Sequence, residues 1–206
     1  MQLAQDSPAK SLAQLMLAGQ ELDAALALLT PLPGQGVSSR IISIRYQENP
    51  LSAIGSYRVG GRYNLKDQFE ALYTCDTIMT CLKELNYLVQ TASGLHVDII
   101  PPTINLSIRY NLAAILDLMN TDNQSALGTN LQELTGNWQC LQKRGQVSPT
   151  QSLGLALYNF QAIEAFKVPS ARDPDAYNLV IFPDRLSGSS FLEIYDPSRT
   201  FQARLP

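Results

Sequence analysis

The apolar positions nearest the N-terminus fall at helical spacing. Leu12, Leu15, Met16, Leu22, Leu26 and Leu29 form one stripe behind Ser7-Pro8, a good cap and first-turn pair. Leu17 and Leu28 lie off that stripe, Gly19 bends or splits the helix, and Pro31-Leu32-Pro33-Gly34-Gln35-Gly36 ends it as a linker. Ile41, Ile42, Ile44 and Tyr46 then predict a strand. Gly60-Gly61 requires a turn or a close backbone approach, and Leu72-Tyr73 lies in a second short strand. Asp76 or Thr77 caps the following helix, whose stripe is Ile78, Cys81, Leu82, Leu85, Leu88 and Val89. At about 100° per residue, Glu84 falls on the stripe's edge, beside Thr80, Cys81, Tyr87 and Leu88.

Beyond a loop at Thr91 to Gly94, Leu95–Ile100 and Ile104–Tyr110 read as strands around Pro101-Pro102. Residues 119–149 are polar, with a short helix around Asn130–Leu134 and Trp138 anchoring the region to the core. A helix over Thr150 to Phe160 turns Leu153, Leu157 and Phe160 inward. Ala162–Val168 reads as a strand that delivers Ser170 at its end, and Asn178–Phe182 and Phe191–Tyr195 are the last strands. Short strands and a few helices without regular βαβ alternation predict an α+β fold.

The composition narrows the function. The chain has 206 residues, 45% of them hydrophobic and only 16% charged, with net charge −3. That balance argues against nucleic acid as the main ligand, which needs a basic footprint. No run of eighteen apolar residues predicts a membrane span, and the first thirty residues lack the pattern of a signal peptide. Cys75, Cys81 and Cys140 make an odd count without a CxxC pair, which fits a reducing, cytoplasmic setting. His96 is the only histidine, so a histidine-based nucleophile or a zinc site is not expected, and His96 is given a structural role.

Singly, the candidate residues have ordinary readings. A helical Glu such as Glu84 is most often a solvated flank residue, and Arg45 reads as a strand-end arginine in a surface ion pair. Tyr63 and Tyr73 are most often core aromatics. Ser170 reads equally as a turn residue after Pro169 and as a hydrogen-bond donor, and Asn64 either caps its turn or touches a ligand.

Together they form an ordered set. Arg45-Tyr46, Gly60-Gly61-Arg62-Tyr63-Asn64, Ala71-Leu72-Tyr73 and Glu84, then Val168-Pro169-Ser170-Ala171-Arg172 ahead of Asn178 and Pro183, resemble the blocks of the RES domain family. That family takes its name from an arginine, a glutamate and a serine. Tyr63 stands where it usually has Trp. The resemblance spans roughly residues 38–200, so residues 1–37 are expected to be an N-terminal helical extension and 38–206 the RES-like catalytic domain. The extension either packs on its own domain or offers a surface for a dimer or another partner.

The resemblance implies a fold similar to ADP-ribosyltransferases, a split mixed sheet with flanking helices holding NAD+ in a central cleft. It implies NAD+ as substrate, loss of nicotinamide as the reaction, and no metal or resident cofactor, with inorganic phosphate as a candidate co-substrate. Glu84 would stabilise the positive charge on the ribose. Arg45, or failing it Arg62, would hold the diphosphate. Tyr46, Tyr63 and Tyr73 would offer aromatic faces, and Ser170 a hydrogen bond to a ribose or phosphate oxygen. Such proteins are toxins neutralised by a helical Xre-type antitoxin. A protein ADP-ribosyltransferase is the alternative, and a non-catalytic binding relative the third reading.

Overall fold

The computed structural model describes residues 16–98 and 100–206. The expected cap at Ser7-Pro8 and the stripe positions Leu12 and Leu15 lie outside the described residues. In chain order, helix α1 (Gly19–Leu28) leads into strand β1 (Leu32–Ser43), helix α2 (Ile54–Val59) and strand β2 (Leu72–Cys75). Helix α3 (Ile78–Glu84) is followed by the hairpin β3 (Leu88–Thr91) and β4 (Gly94–Val97), then by the long strand β5 (Thr103–Asp117). Helices α4 (Thr121–Ala126), α5 (Leu131–Thr135), α6 (Trp138–Lys143) and α7 (Pro149–Asn159) come next. Strands β6 (Ala165–Pro169), β7 (Tyr177–Ile181), β8 (Phe191–Ile194) and β9 (Arg204–Leu205) complete an α+β architecture of one main sheet with flanking helices.

Among the described residues the main sheet runs β1-β2-β7-β6-β5-β8-β9, and β5 also pairs with β1. The pairings β1-β2-β7-β6-β5-β1 therefore close on themselves. Strand β5 allows this by its length. Its one edge carries β1 from Thr103 to Ile115, while the other is shared by β8 at Ile108–Asn111 and β6 at Ile115–Asp117. Only β5 with β6 is parallel, so the sheet is mixed.

Side chains of successive strand residues point to opposite faces. Leu72, Ile108, Leu112, Ile115, Leu179 and Ile181 pack in one cluster, enclosed by the ring. Their neighbours Leu116, Phe166, Val180 and Phe182 pack outward against the helices, meeting Leu22 and Leu26 of α1 and Leu153 and Leu157 of α7. Strand β1 runs across residues 37 and 38, and α1 packs on the same core as the strands that follow.

Three expectations are corrected. The stretch Leu32 to Gly36 is not a linker but the start of β1. Its glycines fit there because Gly34 and Gly36 lie against the side chains of Ile115 and Tyr110, and a register shift between Leu32 and Gly34 absorbs Pro33. Helix α3 stops at Glu84, so Leu88 and Val89 lie on β3 and not on the helical stripe. Asn86 is left-handed at φ 56°, and the N–H groups of Asn86 and Tyr87 close back on the carbonyls of Lys83 and Leu82. That is a Schellman stop with asparagine in glycine's place. Trp138 is only half-buried, at the start of α6.

Helix α7 carries a close approach that positions the candidate site. A Cβ on Gly154 would lie 1.7 Å from the carbonyl oxygen of Tyr63, within the Gly60–Asn64 turn. Gly154→Ala must force helix and turn apart, at a cost of about 3 kcal/mol. For a chain of this size the melting temperature should fall by about 6–12 °C in a circular-dichroism melt.

Candidate active site

Strands β1 and β2 meet at a single residue pair, Ser39 with Cys75. Beside that pair opens a cleft of about 750 Å³. Its walls come from Arg40 and Ile41 of β1, Tyr73 of β2, Glu84 at the end of α3, Trp138 of α6, and Arg172 and Asn178 around β7. The Gly60–Tyr63 turn also lines it.

Glu84 is the most elaborately held side chain there. Its Oε1 accepts hydrogen bonds from Ser170 Oγ at 2.6 Å, Asn178 Nδ2 at 2.8 Å and the Ala171 amide at 3.1 Å. A carboxylate at a helix C-terminus is opposed by the helix dipole, and three donors on one oxygen offset that. Ser170 is itself buried, 7% exposed, and its hydroxyl accepts from the amides of Arg172 and Asp173 while donating to Glu84. Ser170 therefore orients the carboxylate, with its own proton and lone pairs already engaged.

The loop that brings Ser170 there is pinned to α3. Asp173 is paired with Lys83 and accepts from Thr80 Oγ1 at 2.8 Å. Thr77, the observed cap of α3, accepts from the Thr80 amide. Burial alone would raise the Asp173 carboxyl, but the Lys83 and Thr80 hydrogen bonds outweigh it and hold it below its ordinary value of 3.8. Stability from a depressed carboxyl is present above its unfolded pKa and lost as pH falls through the lower folded pKa. Asp173→Asn should therefore lower the melting temperature by about 2–4 °C at pH 7. The difference from wild type should shrink as pH falls below the ordinary carboxyl value of 3.8 and vanish once Asp173 is protonated in the folded state. A gap that persists in acid would remove the ion pair from this role.

Arg40 is the buried guanidinium among the three arginines, Arg40, Arg62 and Arg172, that line the cleft. Its Nη2 donates to the Ser52 carbonyl at 2.9 Å, while its buried Nη1 has no hydrogen-bond partner. Burial brings its pKa down to about 10. Asn178 matches it in kind, with Nδ2 on Glu84 and Oδ1 buried and unpartnered. Two residues that line one cleft thus each keep a buried polar atom without a partner, and buried polar groups of this kind call for one.

Of the residues singled out in the sequence, the structure brings Glu84, Ser170, Arg62, Tyr63 and Tyr73 to the cleft or its wall. It does not bring Arg45 or Tyr46. Both are exposed in a single 3-10 turn beyond β1, with Arg45 Nε donating to Ser43 Oγ at 3.2 Å, and neither lines the cleft. The strand ends two residues before Arg45, so the arginine of β1 that reaches the cleft is Arg40. Tyr63 lines the cleft, but its side chain belongs to the core. It is 1% exposed, its ring stands edge-on to Phe166, and its hydroxyl donates to the Leu134 carbonyl.

Asn64, fully buried, locks the turn. Its Nδ2 donates to the Ser56 carbonyl and its Oδ1 accepts from the Tyr73 hydroxyl, which in turn accepts from the Tyr63 amide. Gly61 leaves room for that hydroxyl, since a Cβ there would lie 2.6 Å from it. The close approach expected of Gly60-Gly61 is thus made to Tyr73. Arg62 Nη1 donates to the carbonyls of Leu134 and Gly136, tying the turn to the end of α5. His96 lies exposed on β4 beside Ser93. Among the described residues, no cluster of three metal-ligating side chains is present, and no helix is long and apolar enough to cross a membrane.

Arg40, Asn178 and Trp138 were missed as cleft residues. For Arg40 a signal existed: it shares strand parity with Ser38 and Ile42, both buried, which marks an arginine on the inward face.

The family model described as the RES domain matches residues 39–202. The chain belongs to the RES domain family. The matched span begins one residue before Arg40 and includes Glu84, Ser170 and Asn178. No curated protein matches this RES chain. Among solved structures it is similar to a chain in the crystal structure of the M. tuberculosis MbcT-MbcA toxin-antitoxin complex. The TM-score is 0.63 at 19% identity, covering 86% of this chain and 91% of that one. At that identity the likeness is one of fold.

Proposed function

We propose that this RES protein is a toxin that consumes NAD+ by breaking its nicotinamide–ribose bond, and that a helical Xre-type antitoxin neutralises it. Membership in the RES family and the shared fold with a toxin–antitoxin chain support the reading. The observation that carries it is the carboxylate of Glu84, fixed by three donors on one oxygen in a cleft also lined by Arg40, whose guanidinium has one nitrogen without a partner. The split mixed sheet is read here as ADP-ribosyltransferase-like, with the dinucleotide lying across the seam between β1 and β2.

As the bond from ribose C1′ to the pyridinium nitrogen lengthens, its electron pair goes to nicotinamide and positive charge grows on the ribose. Glu84, already oriented, stabilises that charge without reorganising. Nicotinamide leaves as a neutral ring, so no general acid is required. Arg40 is assigned to the diphosphate, where its unpaired donor gains a charge-assisted hydrogen bond. Tyr73 and Trp138 are assigned to flat rings, and Asn178 Oδ1 to a hydroxyl or amide donor of the substrate. Ser170 is a positioning residue for Glu84. Water or inorganic phosphate completes the reaction at C1′.

Incubating the purified chain with NAD+, with and without phosphate, tests this. Free nicotinamide with ADP-ribose marks hydrolysis, and ADP-ribose-1″-phosphate marks phosphorolysis. Label appearing on a protein would instead make the chain a protein ADP-ribosyltransferase. Absence of nicotinamide release under all conditions would overturn the proposal.

A further inference from the structure

We infer that Cys75 and Cys81 form a peroxide-responsive dithiol, a modification site whose oxidation to a disulfide displaces Glu84. Both thiols are buried and both line the cleft. They converge on one residue: Cys75 is the ladder partner of Ser39, and Cys81 Sγ lies 3.2 Å from the Ser39 carbonyl oxygen. One thiol stands at the end of β2 and the other one turn before Glu84 on α3, where it donates to that Ser39 carbonyl. The third cysteine, Cys140, is exposed and does not line the cleft.

The pair is chemically unequal. The interaction between the two sulfurs draws Cys81 below the ordinary thiol range and pushes Cys75 above it. Burial adds to the rise at Cys75 and opposes the fall at Cys81. Cys81 is therefore the attacking sulfur, since the thiolate is the nucleophile. Its thiolate takes one oxygen of a hydroperoxide as the O–O bond breaks, leaving a sulfenic acid; the departing alkoxide takes up the proton Cys81 released and leaves as an alcohol, or as water from hydrogen peroxide. The Cys75 sulfur then attacks the sulfenic sulfur, the S–S bond forms, and the hydroxyl leaves with the Cys75 proton as water. Two thiols lose two electrons and the peroxide gains them. A small-molecule dithiol reverses the bond by exchange.

The geometry sets the consequence. A disulfide of about 2.05 Å is much shorter than any contact between two free thiols, so closing it draws α3 toward β2 at Cys81. Glu84 lies three residues along the same helix, within one turn. Its three hydrogen bonds to Ser170, Ala171 and Asn178 cannot all survive that shift. Misplacement of a reacting group by about 1 Å costs roughly 10²-fold in rate. The activity arm of this inference rests on the proposed NAD+ cleavage, whereas the dithiol itself does not.

The test uses the full chain with Cys140→Ser as background, treated with hydrogen peroxide and then with dithiothreitol. Free thiols should fall from two to none. The tryptic peptide 67–83, which carries both cysteines, should lose about 2 Da. Emission from the single tryptophan, Trp138, should change because it lines the same cleft, and NAD+ cleavage should fall about 10²-fold. Dithiothreitol should restore all of these readouts. Adding Cys75→Ser should abolish the 2 Da step; the wild-type oxidation cycle serves if that variant fails to fold. Thiols that stay free at peroxide levels oxidising glutathione would overturn the inference. So would a disulfide that leaves both Trp138 emission and NAD+ cleavage unchanged. A reversible disulfide with an emission change, in a protein whose reduced form releases no nicotinamide, would uphold the dithiol and overturn the functional reading alone.

Discussion

Glu84→Gln is expected to fold normally, bind NAD+ and release nicotinamide about 10³-fold more slowly than the wild type. The glutamine oxygen can accept the same three hydrogen bonds that Glu84 Oε1 takes from Ser170, Asn178 and the Ala171 amide. The loop and β7 therefore keep their anchor, and only the negative charge is lost. That separates electrostatic stabilisation from mere positioning. A wild-type melting temperature with lost nicotinamide release, followed by chromatography, is the expected pair of results. A Gln variant of ordinary activity would remove the carboxylate from the mechanism.

The second large effect concerns two arginines five residues apart. Arg40→Met should weaken NAD+ binding by about 10- to 150-fold, the equivalent of roughly 1.5–3 kcal/mol for a hydrogen bond to a charged group. Arg45→Ala should leave it unchanged, because Arg45 is exposed and its guanidinium meets only Ser43 Oγ. Isothermal titration on the two variants decides between them. Arg40→Met carries a second signature. The buried guanidinium is held down at about 10 by the cost of taking its charge from water. That cost weighs on the folded state at every pH below about 10 and is relieved as pH rises above it. Replacing Arg40 by an apolar chain of similar length should leave the melting temperature unchanged or higher while binding is lost. A clear drop in melting temperature would make Arg40 a structural residue first.

The contrast between these arginines shows what the chain discloses. Glu84 was legible because a cap at Thr77 and an apolar stripe fix its side of α3, and Ser170 because it ends a strand beside a proline. Their meeting across 86 positions is tertiary, but the RES-like order of the motifs pointed to it. Arg40 was overlooked because the apolar run continues to Ile44 and Tyr46, so the strand seemed to end later than it does. What stops it is the turn at Ile44–Tyr46, set by contacts that no local propensity encodes. The start of β1 was hidden for a related reason: Pro33, Gly34 and Gly36 punctuate a chain locally, yet here they fit against Ile115 and Tyr110. Tyr63 was marked as a ligand contact by its place in the RES-like order, and Asn64 as either a turn cap or a ligand contact. Their side chains instead brace the turn, and only packing by α7 through Gly154 makes that visible.

The closed ring has a bearing on synthesis. Strand β1 finds its main partner some seventy positions downstream, and the groups that steady Glu84 belong to residues 170, 171 and 178 of a 206-residue polypeptide. A nascent chain on the ribosome carries Glu84 early but cannot fix its carboxylate until residue 178 has emerged. Every shorter intermediate of translation therefore has the charge of the cleft without its geometry.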